Sequence, residues 1–242
     1  MSNLELNSRL LTRCLAWQHP WGRWQDVLQF KYRRLSWRCQ MTGGNSLKRL
    51  FDFTVALLAL ILLSPALLLI GFLIKLEDGG PVLFLQTRVG QLGREFKMLK
   101  YRSMCMDAEE KLSSLLALNV HTEGITFKLA DDPRITRVGK WLRKFSLDEL
   151  PQLYNVLIGD MSLVGPRPPV PREVALYSLG DRRRLLIKPG ITCFWQISGR
   201  SEIDFSGQVL LDLKYIETRS FWVDIKILAK TLPAVMSGKG AC

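Results

Sequence analysis

A run of 22 residues without a charge, 53–74, constrains this chain more than any other feature, and Ser64-Pro65 stands at its midpoint. About 20 apolar residues span a bilayer as a helix, so the run is long enough to meet a membrane. Proline lacks the backbone donor and crowds the preceding turn, which disfavours a straight span at the centre. Lys48 and Arg49 precede the run and Lys75 closes it, so both flanks are basic. A crossing segment normally leaves its less basic flank outside. Two topologies stay open. One is a single kinked span, since membrane helices tolerate proline when neighbours satisfy the freed carbonyl. The other is a segment that enters, bends at Ser64-Pro65 and returns. Each arm would then hold ~11 residues and reach ~16 Å, enough for one leaflet. The run starts too late and is too long for a cleaved signal peptide.

Charge narrows the partners. Residues 1–49 hold nine Lys or Arg against two acids, residues 75–242 hold 25 against 19, and the whole chain carries +12. A pI near 9.7 asks for an anionic partner. Beside an apolar run, lipid headgroups and phosphorylated metabolites fit better than nucleic acid, for which no base-reading motif occurs. Cys14, Cys39, Cys105, Cys193 and Cys242 are scattered, odd in number and without a CxxC. That argues against a zinc site or a disulfide framework and fits a reducing cytosol. The two histidines, His19 and His121, leave little for a histidine-based mechanism or metal centre.

The order of segments predicts a helix-rich α+β chain in three parts. Residues 1–46 form a basic arm with Trp17, Trp21, Trp24 and Trp37. Pro20 can start a helix there, with Trp21, Trp24, Val27 and Leu28 on one face. Trp with Arg suits the headgroup region; an arm with no binding role is the alternative. Gly43-Gly44 mark residues 41–46 as a linker. Residues 47–76 are the membrane segment, and 77–242 the soluble domain. In that domain 82–86 and 95–99 read as strands of a hairpin, with Gly90 and Gly93 in its loop. Helices are expected over 107–118, 138–145, 150–158 and 205–219. An apolar helix over 223–236 is expected to be interrupted by Pro233. Residues 165–171 read as a rigid Pro-rich loop. No regular βαβ alternation occurs, so a doubly wound sheet is not expected.

The chemistry centres on Asp148-Glu149, in the run Arg143-Lys144-Phe145-Ser146-Leu147-Asp148-Glu149-Leu150-Pro151. At a helix start both carboxylates can reach one space. A capping box from Ser146 to Glu149 is the structural alternative, but it would place Pro151 beyond the first free amides. A start at Asp148 puts Pro151 in the first turn and leaves Asp148 as a plain cap or as a functional group. A helix N-terminus with Arg143 and Lys144 nearby favours the ionised carboxylate. Ionised Asp148 is a competent nucleophile toward phosphorus, and Glu149 can hold a divalent metal. Lys97, Lys100 and Arg102 recur at strand spacing, either as a phosphate-facing set or as a solvated basic face. Arg167 stands between Pro166 and Pro168, which fix the backbone and aim its guanidinium as a phosphate clamp requires. Arg182-Arg183-Arg184 reads as a solvated charge run or a headgroup contact. Gly190 and Gly199 permit turns, and Arg200 stands where it could enter a site.

Together these pieces resemble the bacterial sugar transferase family, the monotopic polyprenyl-phosphate phosphoglycosyltransferases, from about Lys48 onward. The matching stretches are Lys48-Arg49-Leu50-Phe51-Asp52, the Ser64-Pro65 pair, Phe96-Lys97-Met98-Leu99-Lys100-Tyr101-Arg102-Ser103-Met104, Ser146-Leu147-Asp148-Glu149-Leu150-Pro151-Gln152-Leu153, Gly159-Asp160-Met161-Ser162-Leu163-Val164-Gly165-Pro166-Arg167-Pro168, Lys188-Pro189-Gly190-Ile191-Thr192 and Trp195-Gln196-Ile197-Ser198-Gly199-Arg200. The resemblance implies a re-entrant helix hairpin and a cytoplasmic catalytic domain with interfacial amphipathic helices. It places the protein at the cytoplasmic face of a bacterial inner membrane. It implies transfer of a sugar 1-phosphate from a UDP-sugar to a polyprenyl phosphate such as undecaprenyl phosphate, releasing UMP and initiating exopolysaccharide, capsule or O-antigen assembly. Asp148 takes the position of the nucleophile and Glu149 that of the acid linked to Mg2+, with Asp148 beside it at the metal. Arg167 takes the position tied to nucleotide-sugar recognition, and Arg143, Lys100 and Arg102 those near the diphosphate.

Two departures stand out. Long members carry a four-helix membrane bundle and an extra domain before this region, where this chain has only its Trp-rich arm; the short form is expected to be self-sufficient. The ending Gly240-Ala241-Cys242 resembles the hexose-transferring branch, which more often ends in Tyr, so the sugar stays open. A membrane-anchored basic scaffold without catalysis is the rival expectation, and a homo-oligomer is left open.

Overall fold

The computed structural model describes backbone at residues 20–108, 110–111, 132–199 and 203–237, with side chains from Ser46 onward. The expected helix over 107–118 and the Gly240-Ala241-Cys242 ending lie largely or wholly outside the described residues. Two units separate by their internal packing, Met1–Leu50 and Phe51–Cys242. Helix α1 runs Pro20–Asp78. Its start at Pro20 is the one expected from proline at a first helical position. Residues 41–46, expected as a linker, are helical instead. Glycine costs a helix only about 1 kcal/mol per residue, so Gly43-Gly44 weaken the helix without ending it.

Within the second unit, α1 carries the apolar run, and Ser46–Asp78 is long and apolar enough to cross a membrane. The expected break at Ser64-Pro65 is not a departure from helix, for Pro65 lies inside α1. Pro65 has no N–H to give the carbonyl of Ile61, four residues back. Ser64 Oγ donates to that same carbonyl at 2.8 Å. The serine supplies the bond the proline removes, and the chain stays helical. One face of α1 packs inward through Ala56, Ile70 and Ile74, while Leu58, Ile61, Leu62, Leu68, Leu69, Phe72 and Leu76 are exposed. An exposed apolar surface of this extent marks a membrane or partner contact.

Strands β1 (Leu83–Val89) and β2 (Glu95–Tyr101) form the antiparallel hairpin, in register Leu83↔Tyr101 through Val89↔Glu95. Both run beyond the expected 82–86 and 95–99, which brings Arg88 into the sheet. Helix α2 (Arg137–Lys144) follows, with Thr136 accepting from Gly139 N as its cap. Next come a 3-10 turn at Leu147–Glu149 and α3 (Gln152–Ile158). Strand β3 (Ser162–Val164) pairs in parallel with β4 (Gly190–Thr192), an element the sequence did not announce. Between them lie α4 (Pro171–Ala175) and a 3-10 stretch, Asp181–Leu186. Helices α5 (Phe194–Ser198), α6 (Phe205–Thr218) and α7 (Phe221–Ser237) complete the order. α7 continues through Pro233 rather than being interrupted there.

The main core joins Ala56 of α1, Met98 of β2, Leu153 and Val156 of α3, Met161, Leu163 and Val164 around β3, Tyr215 of α6 and Ile227 of α7. Polar ties cross it. Asp52 on α1 accepts from Ser162 Oγ at 2.7 Å, and Tyr215 Oη donates to Asp224 at 2.7 Å. A second cluster packs Ile70 and Ile74 of α1 against Tyr101 and Leu142. Asn155, fully buried on α3, accepts from Leu99 N at 2.9 Å and donates to Lys97 O at 2.8 Å. That side chain acts as one more strand against β2, and so fixes the hairpin against the turn carrying Asp148. Arg184, expected in a solvated charge run, is buried in an ion pair with Asp212 and bonded to Tyr177 Oη at 3.1 Å. Two of the three arginines remain outside; the third enters because a buried carboxylate on α6 meets it.

Candidate functional site

The 3-10 turn that carries Asp148 and Glu149 is entered through Ser146 at φ 53°, a left-handed conformation that non-glycine residues seldom adopt. Ser146 makes no capping bond with its side chain, and Pro151 stands at the cap of α3. The capping box is therefore absent, and Asp148 is not the cap of α3 either. The strained entry instead turns both acids away from helix duty. Asp148 is buried at 8% exposure, while Glu149 binds Lys100 Nζ at 2.8 Å.

A small open cleft lies beside this turn. Lys100 and Met98 of β2, Arg88 of β1, Glu149, Gln152 of α3, Arg167, Pro168, Gly190 and Gln196 are among its lining. The Gly165-Pro166-Arg167-Pro168 loop is held from two sides. Gly190 N donates to Pro166 O at 2.9 Å, while Arg88 Nη1 and Val89 N donate to Pro168 O and Pro169 O at 2.8 and 2.9 Å. Arg167 is thus carried on a backbone clamped before and after it. The close approach of the two loops requires glycine, since a Cβ on Gly190 would lie 2.0 Å from Gly165 N. Arg167 stays half-exposed, with Glu173 Oε1 3.8 Å from its Nη1. Glu173 is itself fixed by Val170 N at 3.1 Å.

The electrostatics separate the two acids. Burial pushes the Asp148 carboxyl up to about 6; Lys100 pulls it down, Glu149 adds to the rise and Arg143 opposes it. For Glu149 burial also acts upward, but Lys100, Arg167 and Arg88 outweigh it and hold the carboxyl below its ordinary range. At neutral pH both are ionised, Glu149 the more firmly. Two adjacent carboxylates give an oxygen-only donor set of the kind magnesium accepts when substrate phosphates and water complete its shell. Among the described residues no group of three or more His, Cys, Asp or Glu forms a metal cage. The residues present fit a metal shared with substrate rather than one held by protein alone.

The sequence-expected residues divide. Glu149, Lys100, Arg167 and Pro168 line the cleft together, with Pro166 holding the loop; Asp148 is buried outside that lining, within the field of Lys100. Arg143, on the last turn of α2, acts on the Asp148 charge, and its Nη1 is buried without a hydrogen-bond partner. Arg102 does not join them. It is buried in an ion pair with Asp78 at the end of α1, because the chain leaves β2 toward that helix and away from the cleft. Lys97 points to Thr87 Oγ1 at 2.8 Å on the hairpin surface. Arg200 lies outside the described residues. Ser64, Pro65, Lys48 and Arg49 lie on α1, away from the cleft lining. Residue-level reasoning missed Arg88, Gln152 and Gln196. Gln152 and Gln196 stand inside stretches that carry the resemblance, and Arg88 in none of them.

The family model for bacterial sugar transferases matches residues 43–238, and the chain belongs to that family. It is 51% identical over 195 residues to the galactosyl transferase CpsE of Streptococcus agalactiae, covering 80% of this chain and 43% of that protein. It is 45% identical over 202 residues to the exopolysaccharide production protein ExoY of Sinorhizobium fredii, covering 82% of this chain and 89% of that one. It is 44% identical over 202 residues to the undecaprenyl-phosphate galactose phosphotransferase of Salmonella typhimurium, covering 82% and 42%. The chain thus spans about two fifths of CpsE and of the Salmonella enzyme, and most of ExoY.

Proposed function

We propose that this protein is a membrane-attached phosphoglycosyltransferase, moving a sugar 1-phosphate from a UDP-sugar to a polyprenyl phosphate. The observation that carries this reading is a buried, ionisable Asp148 adjacent in sequence to Glu149, which lines a cleft with Lys100, Arg167 and Arg88. One carboxylate among converging cations suits attack on a phosphoryl group, whose oxygens the cations stabilise. The named activities of the relatives support it, since they include undecaprenyl-phosphate sugar phosphotransferases.

In this reading an Asp148 carboxylate oxygen attacks the β-phosphorus. The bond from that phosphorus to the bridging oxygen breaks, UMP leaves, and a phosphosugar stays on Asp148. An oxygen of the polyprenyl phosphate then attacks the same phosphorus, frees Asp148 and yields a diphosphate-linked lipid sugar. Glu149, with Asp148, would hold Mg2+, which supplies charge stabilisation at the phosphoryl oxygens. Arg167 holds and orients the donor diphosphate. Lys100 and Arg143 keep the nucleophile ionised, with Lys100 also reaching Glu149.

The membrane segment is read as re-entrant, at the cytoplasmic face. Both ends of the apolar run are fastened to one unit. Asp52 meets Ser162, while farther on Tyr101 Oη donates to Leu67 O at 2.8 Å and Ile74 packs near Leu142. A segment crossing ~30 Å of hydrocarbon would leave its two ends on opposite faces. Lys48, Arg49 and Lys75 at the ends favour the cytoplasmic side.

The test is a UMP-release screen in membranes supplied with polyprenyl phosphate and, in turn, UDP-glucose, UDP-galactose and the N-acetylated UDP-sugars. Release with at least one donor is expected, together with β-phosphate label on the wild-type chain and none on Asp148→Asn. Substantial labelling of Asp148→Asn removes Asp148 from its role, and no release with any donor leaves the protein a basic membrane scaffold.

A further inference from the structure

Arg88 is the cation of this cleft to which the mechanism gives no task. It stands on β1 opposite Phe96, is 6% exposed, and lines the cleft with Arg167 and Lys100. Its two neighbours have carboxylates: Lys100 has Glu149 and Arg167 has Glu173. Among the described residues Arg88 forms no ion pair. Its partners are neutral, with Nε and Nη2 donating to Gln86 Oε1 at 3.0 and 2.6 Å and Nη1 donating to Pro168 O at 2.8 Å. A guanidinium carries five N–H donors. These bonds place one donor on each nitrogen, so Nη1 and Nη2 each keep one. A buried guanidinium with no carboxylate bonded to it is costly to a fold, more so beside a second arginine. Burial, with Arg167 adding to it, lowers its pKa to about 9 against the weaker pull of Glu173 and Glu149, which still leaves it charged at neutral pH. A cation kept in such a place is explained by an anion that arrives from outside.

We infer that Arg88 binds the substrate's phosphates, forming with Arg167 a two-arginine cradle in which the diphosphate supplies the directly bonded anion that Arg88 lacks. The inference rests on the proposed donor, a nucleoside diphosphate sugar, and adds to it a residue that touches the donor directly. The bond to Pro168 O gives the cradle its geometry, because the same guanidinium that meets the phosphate also holds the loop that carries Arg167.

The experiment uses the full chain in lipid nanodiscs with magnesium, and compares wild type, Arg88→Gln and Arg88→Lys. Binding of UDP and of uridine is measured by calorimetry or competition, alongside UMP release against UDP-sugar concentration. A charge-assisted phosphate contact corresponds to roughly 10- to 100-fold in affinity. Arg88→Gln is expected to lose that much for UDP and to keep uridine within about twofold. Its KM for the donor should rise more than its kcat falls, and Arg88→Lys should lie between. A purely structural brace would weaken uridine and UDP alike, and that result overturns the inference. So does unchanged UDP binding by Arg88→Gln when the wild type binds UDP and releases UMP. A wild type that does neither removes the proposed function, and this inference with it.

Discussion

The position of Asp148 makes a pH prediction whose size follows from its surroundings. Its carboxyl sits at about 6, raised chiefly by burial, and only the ionised form can attack phosphorus. A group with that pKa is ~10% ionised at pH 5 and ~90% at pH 7, so the rate should rise about tenfold between them. An unperturbed aspartate, near 3.9, would be more than ~90% ionised at pH 5, and the profile would be flat. The assay is the single-turnover burst of UMP from a UDP-sugar, without polyprenyl phosphate. That isolates the first step from the ionisation of the acceptor phosphate. Lys100 is the largest of the neighbours that favour the ionised form. Lys100→Met should therefore move the limb to higher pH as well as slow the burst. Arg143→Gln should move it the same way, by less. Asp212, buried against Arg184, also sits at about 6, but neither Lys100 nor Arg143 acts on it. Asp212→Asn is the control: it should leave the midpoint in place whatever it does to the rate. A midpoint near 4, or a limb that follows Asp212 and ignores Lys100, refutes the assignment.

The same burial predicts a conflict between function and stability. A carboxyl whose folded pKa lies above its unfolded value destabilises the fold as pH rises from about 4 to about 6, and the penalty is complete above that. A rise of that size corresponds to at most about 3 kcal/mol. Asp148→Asn should raise the melting temperature at pH 7 while abolishing turnover, with a smaller gain at pH 4.5; equal gains at both pH values contradict the linkage. Asn155→Ala leaves Leu99 N–H and Lys97 C=O without their buried partner. It should cost about 2–4 kcal/mol, seen as a lower urea midpoint with unchanged slope, and an undisturbed midpoint would mean that water replaces the amide.

How far the sequence foretold this arrangement depends on the range over which each signal acts. The hairpin, α2, α3 and α6 were legible because period and turn residues act within a few positions. Residues 41–46 were misread because two glycines suggest a linker, yet glycine only weakens a helix. That the chain stays helical through Ser64-Pro65 was not legible for a related reason: proline's cost assumes an unsatisfied carbonyl, and the serine beside it satisfies that carbonyl. The parallel pair β3–β4 was illegible because each strand has three residues and its partner lies beyond α4 and a 3-10 stretch. Arg184 was misjudged because its pairing with Asp212 bridges 28 positions of sequence.

The candidate site shows the same division at finer scale. Asp148, Glu149 and Arg167 stand in dense local patterns, and the resemblance named their roles before any geometry was known. Arg102 stood in an equally dense pattern, yet it serves the end of α1, because spacing along a strand does not say what waits beyond the strand's last residue. Arg88 had no pattern at all, since its meaning depends on Pro168, 80 residues away, and on having no carboxylate bonded to it among the described residues. A missing ion-pair partner leaves no mark on a sequence. It becomes visible only when the neighbours of a buried cation are placed, and then it says more about the ligand than the residues that are already paired. Lys100 and Arg167 have Glu149 and Glu173 as ion-pair partners. Arg88 feels those two carboxylates only through space, and a bound diphosphate would give it the direct partner it lacks.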